Sequence, residues 1–144
     1  MDLASRRDVI YLMLLVLRDM VQRARGNLIT FRASVIASRI LQNYLQVVPD
    51  SEQIRSLSKK IRDVLETLCD LGLVQVVKRG SRGKVYGMYR TSPLFLSLQV
   101  CNDDGVTCLA DLFHEYIYSM GNSNDRTVLI HRILQCTAFG SSTG

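Results

Sequence analysis

The chain has 144 residues, 47% of them hydrophobic, which suits one packed domain with an extension and excludes a disordered chain. Its net charge of +5 is unevenly spread: residues 1–92 hold 16 of the 18 Lys and Arg and 8 of the 13 Asp and Glu, a net +8, while residues 93–144 stand at −3. One part of the chain is therefore suited to a polyanion and the other is not. Fourteen of the cations are Arg, whose planar fork matches phosphates and guanine edges.

Ser5 to Arg25 reads as a helix, with Ser5 as cap and Gly26-Asn27 as stop. Its apolar run, Val9 to Leu17, is nine residues long, against roughly 20 for a bilayer span. No small-residue cleavage site follows it; Arg18, Asp19, Arg23 and Arg25 do. The expectation is a buried helix in a cytoplasmic protein with no membrane partner. Because the run is apolar nearly all round, it must be covered on two sides. One side faces the domain's own core; the other needs the C-terminal segment or a second subunit.

Leu28-Ile29-Thr30 is a short β-like stretch, after which Thr30 caps a helix from about Phe31 to Leu45. Gln46 to Pro49 is a connector, since the residue before a proline is pushed out of the helical region. Asp50 or Ser51 caps the next helix, which runs to about Leu71 and stops at Gly72. Leu73 to Lys78 reads as a strand, residues 79–83 as a turn and Lys84 to Arg90 as a second strand. Beyond Thr91-Ser92-Pro93, Asn102 to Gly105 is a predicted loop, and Thr107 to Met120 and Asp125 to about Ala138 are predicted helices.

The order is helix, short strand, helix, helix, strand, turn, strand. The segment Leu65-Glu66-Thr67-Leu68-Cys69-Asp70-Leu71-Gly72-Leu73-Val74 resembles the end of a recognition helix entering a wing. The hairpin from Gln75 to Thr91 has a glycine-bearing tip and a Tyr86-x-x-Tyr89-x-Thr91 exit. Over residues 6 to 92 the chain resembles the winged-helix superfamily, especially small prokaryotic and archaeal transcriptional regulators. The second helix is longer than in the commonest version, and the connector replaces its tight turn. The resemblance implies a mainly α fold with a small β-hairpin (α+β): a winged helix-turn-helix in residues 1–92 with a helical extension in 93–144.

That superfamily mostly binds DNA, and some members bind proteins instead. Opposite the apolar stripe, the helix from Glu52 carries Arg55, Ser56, Lys59 and Arg62, with Lys60 on a flank; the acids Asp63, Glu66 and Asp70 come later. A recognition helix enters the major groove with its N-terminal part, which here is the basic part. The alternative is a solvated face neutralised by the i,i+4 pairs Lys59–Asp63 and Arg62–Glu66. The wing tip, residues 78–84, supplies Lys78, Arg79, Arg82 and Lys84 and no acid, which suits the backbone or a narrow minor groove. Arg32 and Arg39 on the second helix are placed for phosphates.

Catalysis finds no motif: the two histidines, His114 and His131, lie in the tail, and no nucleophile elbow, phosphate loop or zinc-protease sequence occurs. Cys69, Cys101, Cys108 and Cys136 contain no Cys-x-x-Cys pair, so no metal or cofactor is expected. Buried free thiols are the expected state, with a disulfide as the alternative. The sequence thus reads as a non-enzymatic double-stranded DNA-binding protein, a transcriptional regulator or chromatin-type protein of the nucleoid. It is expected to dimerise with itself through the first helix and the tail. The rival is a winged-helix module that docks a protein.

Overall fold

In the computed structural model, which describes residues 6–25, 27–70, 72–78, 88–92, 101–118 and 126–140, the chain begins with α1 (Arg6–Arg23), β1 (Thr30–Arg32), α2 (Ala33–Asn43) and α3 (Ser51–Asp70). It continues with β2 (Val74–Lys78), β3 (Met88–Thr91), α4 (Asp103–Tyr118) and α5 (Arg126–Gly140). The protein is mainly helical with one antiparallel three-stranded sheet, order β1-β3-β2. This is the expected mixture of helix and a little strand.

α3 is specified by local signals along its length. Its ends are closed by side chain and backbone in turn. Asp50 Oδ1 accepts from the Gln53 N–H at 2.7 Å, and Gln53 Oε1 accepts from the Asp50 N–H at 3.3 Å, a reciprocal capping box. At the far end Gly72 adopts φ 79°, and the Gly72 and Leu73 N–H groups donate to the carbonyls of Cys69 and Leu68, both at 3.0 Å. That is a Schellman stop, and Leu68 and Leu73, both fully buried, supply its apolar contact. Between the caps Leu57, Ile61, Val64, Leu65 and Leu68 bury one stripe.

The sheet shifts one predicted boundary. β1 starts at Thr30 rather than ending there, and α2 starts at Ala33. Register explains the difference: Thr30, Phe31 and Arg32 pair with Arg90, Tyr89 and Met88 of β3. Phe31 is buried and stacks on Tyr89 with ring centroids 6.1 Å apart. The expected Thr30 cap is therefore replaced by Arg32, which makes no side-chain cap. At the end of β3, Thr91 N–H donates to Ile29 O and Ser92 N–H to Leu73 O, tying both edges to the central strand's end. The Tyr89 hydroxyl donates to Glu66 Oε2 at 2.8 Å, so α3 is fastened to the sheet as well as packed on its neighbours.

α4 begins earlier than predicted. Asn102 is a helix cap, not a loop residue: its Oδ1 accepts from the Gly105 N–H at 2.9 Å, and Asp103 and Asp104 fill the first turn. α1 lies between α4 on one side and α2 and α3 on the other. Ile10, Met13, Leu14, Leu17 and Val21 are fully buried there. The second face of α1 is thus covered by the chain's own tail, so its apolar surface does not call for a second subunit. Arg18 reinforces the contact, pairing with Asp103 at 2.7 Å and donating to the Cys101 carbonyl at 3.2 Å; Arg7 pairs with Asp111. One buried cluster runs from α1 through α4 to Leu129, Ile133 and Cys136 of α5.

The expectation of four free thiols is corrected. Cys108 and Cys136 form a disulfide with Cα atoms 5.5 Å apart, while Cys69 and Cys101 are thiols outside any disulfide. Antiparallel packing of α4 on α5 brings the two within bonding distance, which a separation of 28 residues does not announce.

Candidate nucleic-acid interface

α3 separates its two faces cleanly. With Leu57, Ile61, Val64, Leu65 and Leu68 turned inward, the helical period turns Arg55, Ser56, Lys59 and Lys60 outward, and all four are exposed. They occupy the N-terminal half of the helix, whose backbone dipole also presents its positive end. Arg62 departs from the expected strip. It is half-buried on the flank, and one of its guanidinium nitrogens is buried with no hydrogen-bond partner among the described residues.

The electrostatic environment of the strip is informative. The neutralising pair Lys59–Asp63 is not formed, and neither Arg55 nor Lys59 makes an ion pair with a described residue. Glu66, the other acid expected to neutralise this face, is held by the Tyr89 hydroxyl. Arg55 and Lys59 therefore project into solvent without an ion pair to a described residue.

Arg32 and Arg39 are half-buried; Arg39 lies on α2, but Arg32, expected on the same helix, is the extended residue just before it. Arg32 also belongs to the sheet, where it stands opposite Met88. Alternation along the strands puts Thr30, Arg90 and Gln75 in one exposed row, with Arg90 central. Arg90 was missed as a site residue. The signal was present: Tyr89 turns inward, so its neighbour must turn outward. β2 ends at Lys78, and Arg79, Arg82 and Lys84 lie outside the described residues. The described structure thus brings together Arg55, Ser56, Lys59 and Lys60, places Arg32 and Arg90 on the sheet, and sets Arg62 aside.

A concavity of about 780 Å³ lies between α4 and α5, where nothing in the sequence marks one. Its walls carry Asp104, Asp111 and Glu115 as well as Arg132, so it is not a polyanion site. Among the described residues no group of three or more His, Cys, Asp or Glu is placed to hold a metal ion, and no helix is long and apolar enough to cross a membrane. Compared with known proteins, the chain matches no family model, and no curated protein or solved structure is detectably similar to it.

Proposed function

We propose that this chain is a winged helix-turn-helix protein that binds double-stranded DNA. α3 enters the major groove by its N-terminal half, and the β2–β3 hairpin lies on the backbone or minor groove. The observation that carries the reading is the exposed strip Arg55, Ser56, Lys59 and Lys60 at the start of a helix whose other face is buried. The element order, two helices in succession followed by an antiparallel hairpin whose inner strand pairs with β1, supports the same assignment. A role in transcription or in organising the chromosome, and a place in the nucleoid, follow from that activity.

Self-association remains part of the proposal on new grounds. α1 is covered internally, but α5 carries Val128 and Leu134, which are 54% and 46% exposed. A twofold contact through α5 would set two recognition helices on one duplex. Sedimentation equilibrium of the full chain at micromolar concentration tests it: a dimer is expected, and a monomer removes α5 as an interface.

Binding to a random-sequence duplex, followed by fluorescence anisotropy across salt concentrations, tests the principal reading. If about six phosphates are contacted, affinity falls on the order of a thousandfold between 50 and 200 mM salt. No binding at 50 mM salt, or binding indifferent to salt, overturns it.

A further inference from the structure

The disulfide between Cys108 on α4 and Cys136 on α5 sits where a single bond has leverage. α5 packs principally on α4. Its described buried side chains are Leu129, Ile133 and Cys136, a narrow stripe at i, i+4 and i+7. One of these three anchors is a half of the disulfide itself. Both cysteines also line the 780 Å³ groove between the two helices, and Cys108 is only half-buried. A small thiol therefore has a route to the bond.

The rest of the fold does not depend on α5 in the same way. α4 is held to α1 by buried Val106, Leu109, Ala110 and Phe113 and by the Arg7–Asp111 and Arg18–Asp103 pairs. Nor is a rival thiol well placed to take over the bond. Cys69 lies on α3, and burial pushes the Cys101 thiol up despite the nearby Arg18 cation, so burial disfavours the nucleophilic thiolate there.

We propose that the Cys108–Cys136 bond is a redox-responsive latch that holds α5 on α4, and that a low-molecular-weight dithiol opens it and releases α5 while the remaining fold persists. One thiolate of the dithiol attacks the Cys108 sulfur. The Cys108–Cys136 bond breaks, and the Cys136 sulfur leaves as a thiolate and takes up a proton. The second thiolate attacks the resulting mixed disulfide and expels the Cys108 sulfur, which is protonated in turn, while the reagent closes its own disulfide. Two electrons pass from the dithiol to the protein. This latch is independent of the DNA reading.

Amide hydrogen exchange on the full chain, read by mass spectrometry before and after dithiothreitol, tests the latch. Peptides within 126–140 should exchange roughly a hundredfold faster after reduction, the scale set by losing a covalent loop of this size. Peptides within α1, α2 and α3 should change by less than about threefold. The Cys108→Ser/Cys136→Ser variant should match the reduced protein and no longer respond to the reagent. Unchanged exchange in α5 overturns the latch, as does an equal acceleration across α1, α2 and α3, which marks a general structural cross-link. Alkylation of all four cysteines in the air-oxidised protein overturns it too.

Discussion

α3 and α5 are both surface helices with one face on the core, yet they are held in different ways. α3 buries a broad stripe between two well-formed caps, and Tyr89 fastens its far end to the sheet. α5 buries a narrow stripe and adds a covalent bond. The difference extends to charge. α3 keeps its cations together on a face that packing does not use, whereas the exposed side of α5 mixes Val128, His131, Arg132, Leu134 and Gln135. A helix whose packing is complete on one face leaves the other free for a partner. One whose packing is thin needs help to stay in place.

The widest expected contrast is in core truncation. Ile61→Ala in α3 removes a fully buried side chain from the centre of the stripe and should cost about 3 kcal/mol in urea unfolding. Leu134→Ala in α5 removes a half-exposed one and, at a concentration low enough to keep the chain monomeric, should cost under about 0.5 kcal/mol. Equal costs under that condition would show that α5 is packed within the chain as deeply as α3, whereas a Leu134→Ala cost that grows with protein concentration reports the proposed contact through α5.

The next contrast is electrostatic. Arg55→Glu with Lys59→Glu should weaken duplex binding roughly a hundredfold at low salt, since two contacts are lost and two repulsions gained. Arg132→Glu, on the acidic part of the chain, should leave it within about twofold. In the turn that the sequence predicts after β2, Arg79→Ala with Arg82→Ala should lower affinity by a similar factor for every duplex tested, while Arg55→Ala should alter preference among sequences. Equal losses from α3 and α5 would show that net charge, not a positioned helix, drives binding.

These contrasts were unequally legible in the sequence. α3 was readable because its signals are local: Asp50 with Gln53, a stripe at helical spacing, and Gly72 as the stop. The exposed cations followed from that stripe. β1 was displaced because its limits are set by pairing with Met88, Tyr89 and Arg90, more than fifty residues away in the chain. Asn102-Asp103-Asp104-Gly105 has the composition of a loop and of a helix start alike, and only the hydrogen bond to the Gly105 N–H separates them. The all-round apolarity of α1 required cover on two faces but could not say that α4 supplies the second. The disulfide was hidden for the same reason, since it depends on how two distant helices lie against each other. Arg62 illustrates a finer limit: helical spacing places it near the basic strip, but packing draws it halfway in.

The smallest expected effect lies at the helix caps, which differ in charge between the two regions. The basic helix α3 is capped by an acid, Asp50, and the acidic helix α4 by a neutral residue, Asn102. Asp50→Ala removes the acceptor for the Gln53 N–H and should cost about 1 kcal/mol of stability. Asp50→Asn keeps an acceptor there and gives up only the charge–dipole contribution, a few tenths of a kcal/mol on an exposed turn. It also removes a negative charge from the end of α3 that the proposed function turns towards phosphates. Duplex affinity should therefore rise about twofold to fivefold at low salt while stability falls slightly. Asn102→Asp adds an acid beside Asp103 and Asp104, where dipole attraction and like-charge repulsion oppose each other. Stability should stay within about 0.5 kcal/mol and DNA affinity should not move. Anisotropy titrations and urea melts of the two variants read both signs. A gain in affinity confined to Asp50→Asn places the duplex at the start of α3; no change there, with a loss from Asn102→Asp, would place it against α4 instead.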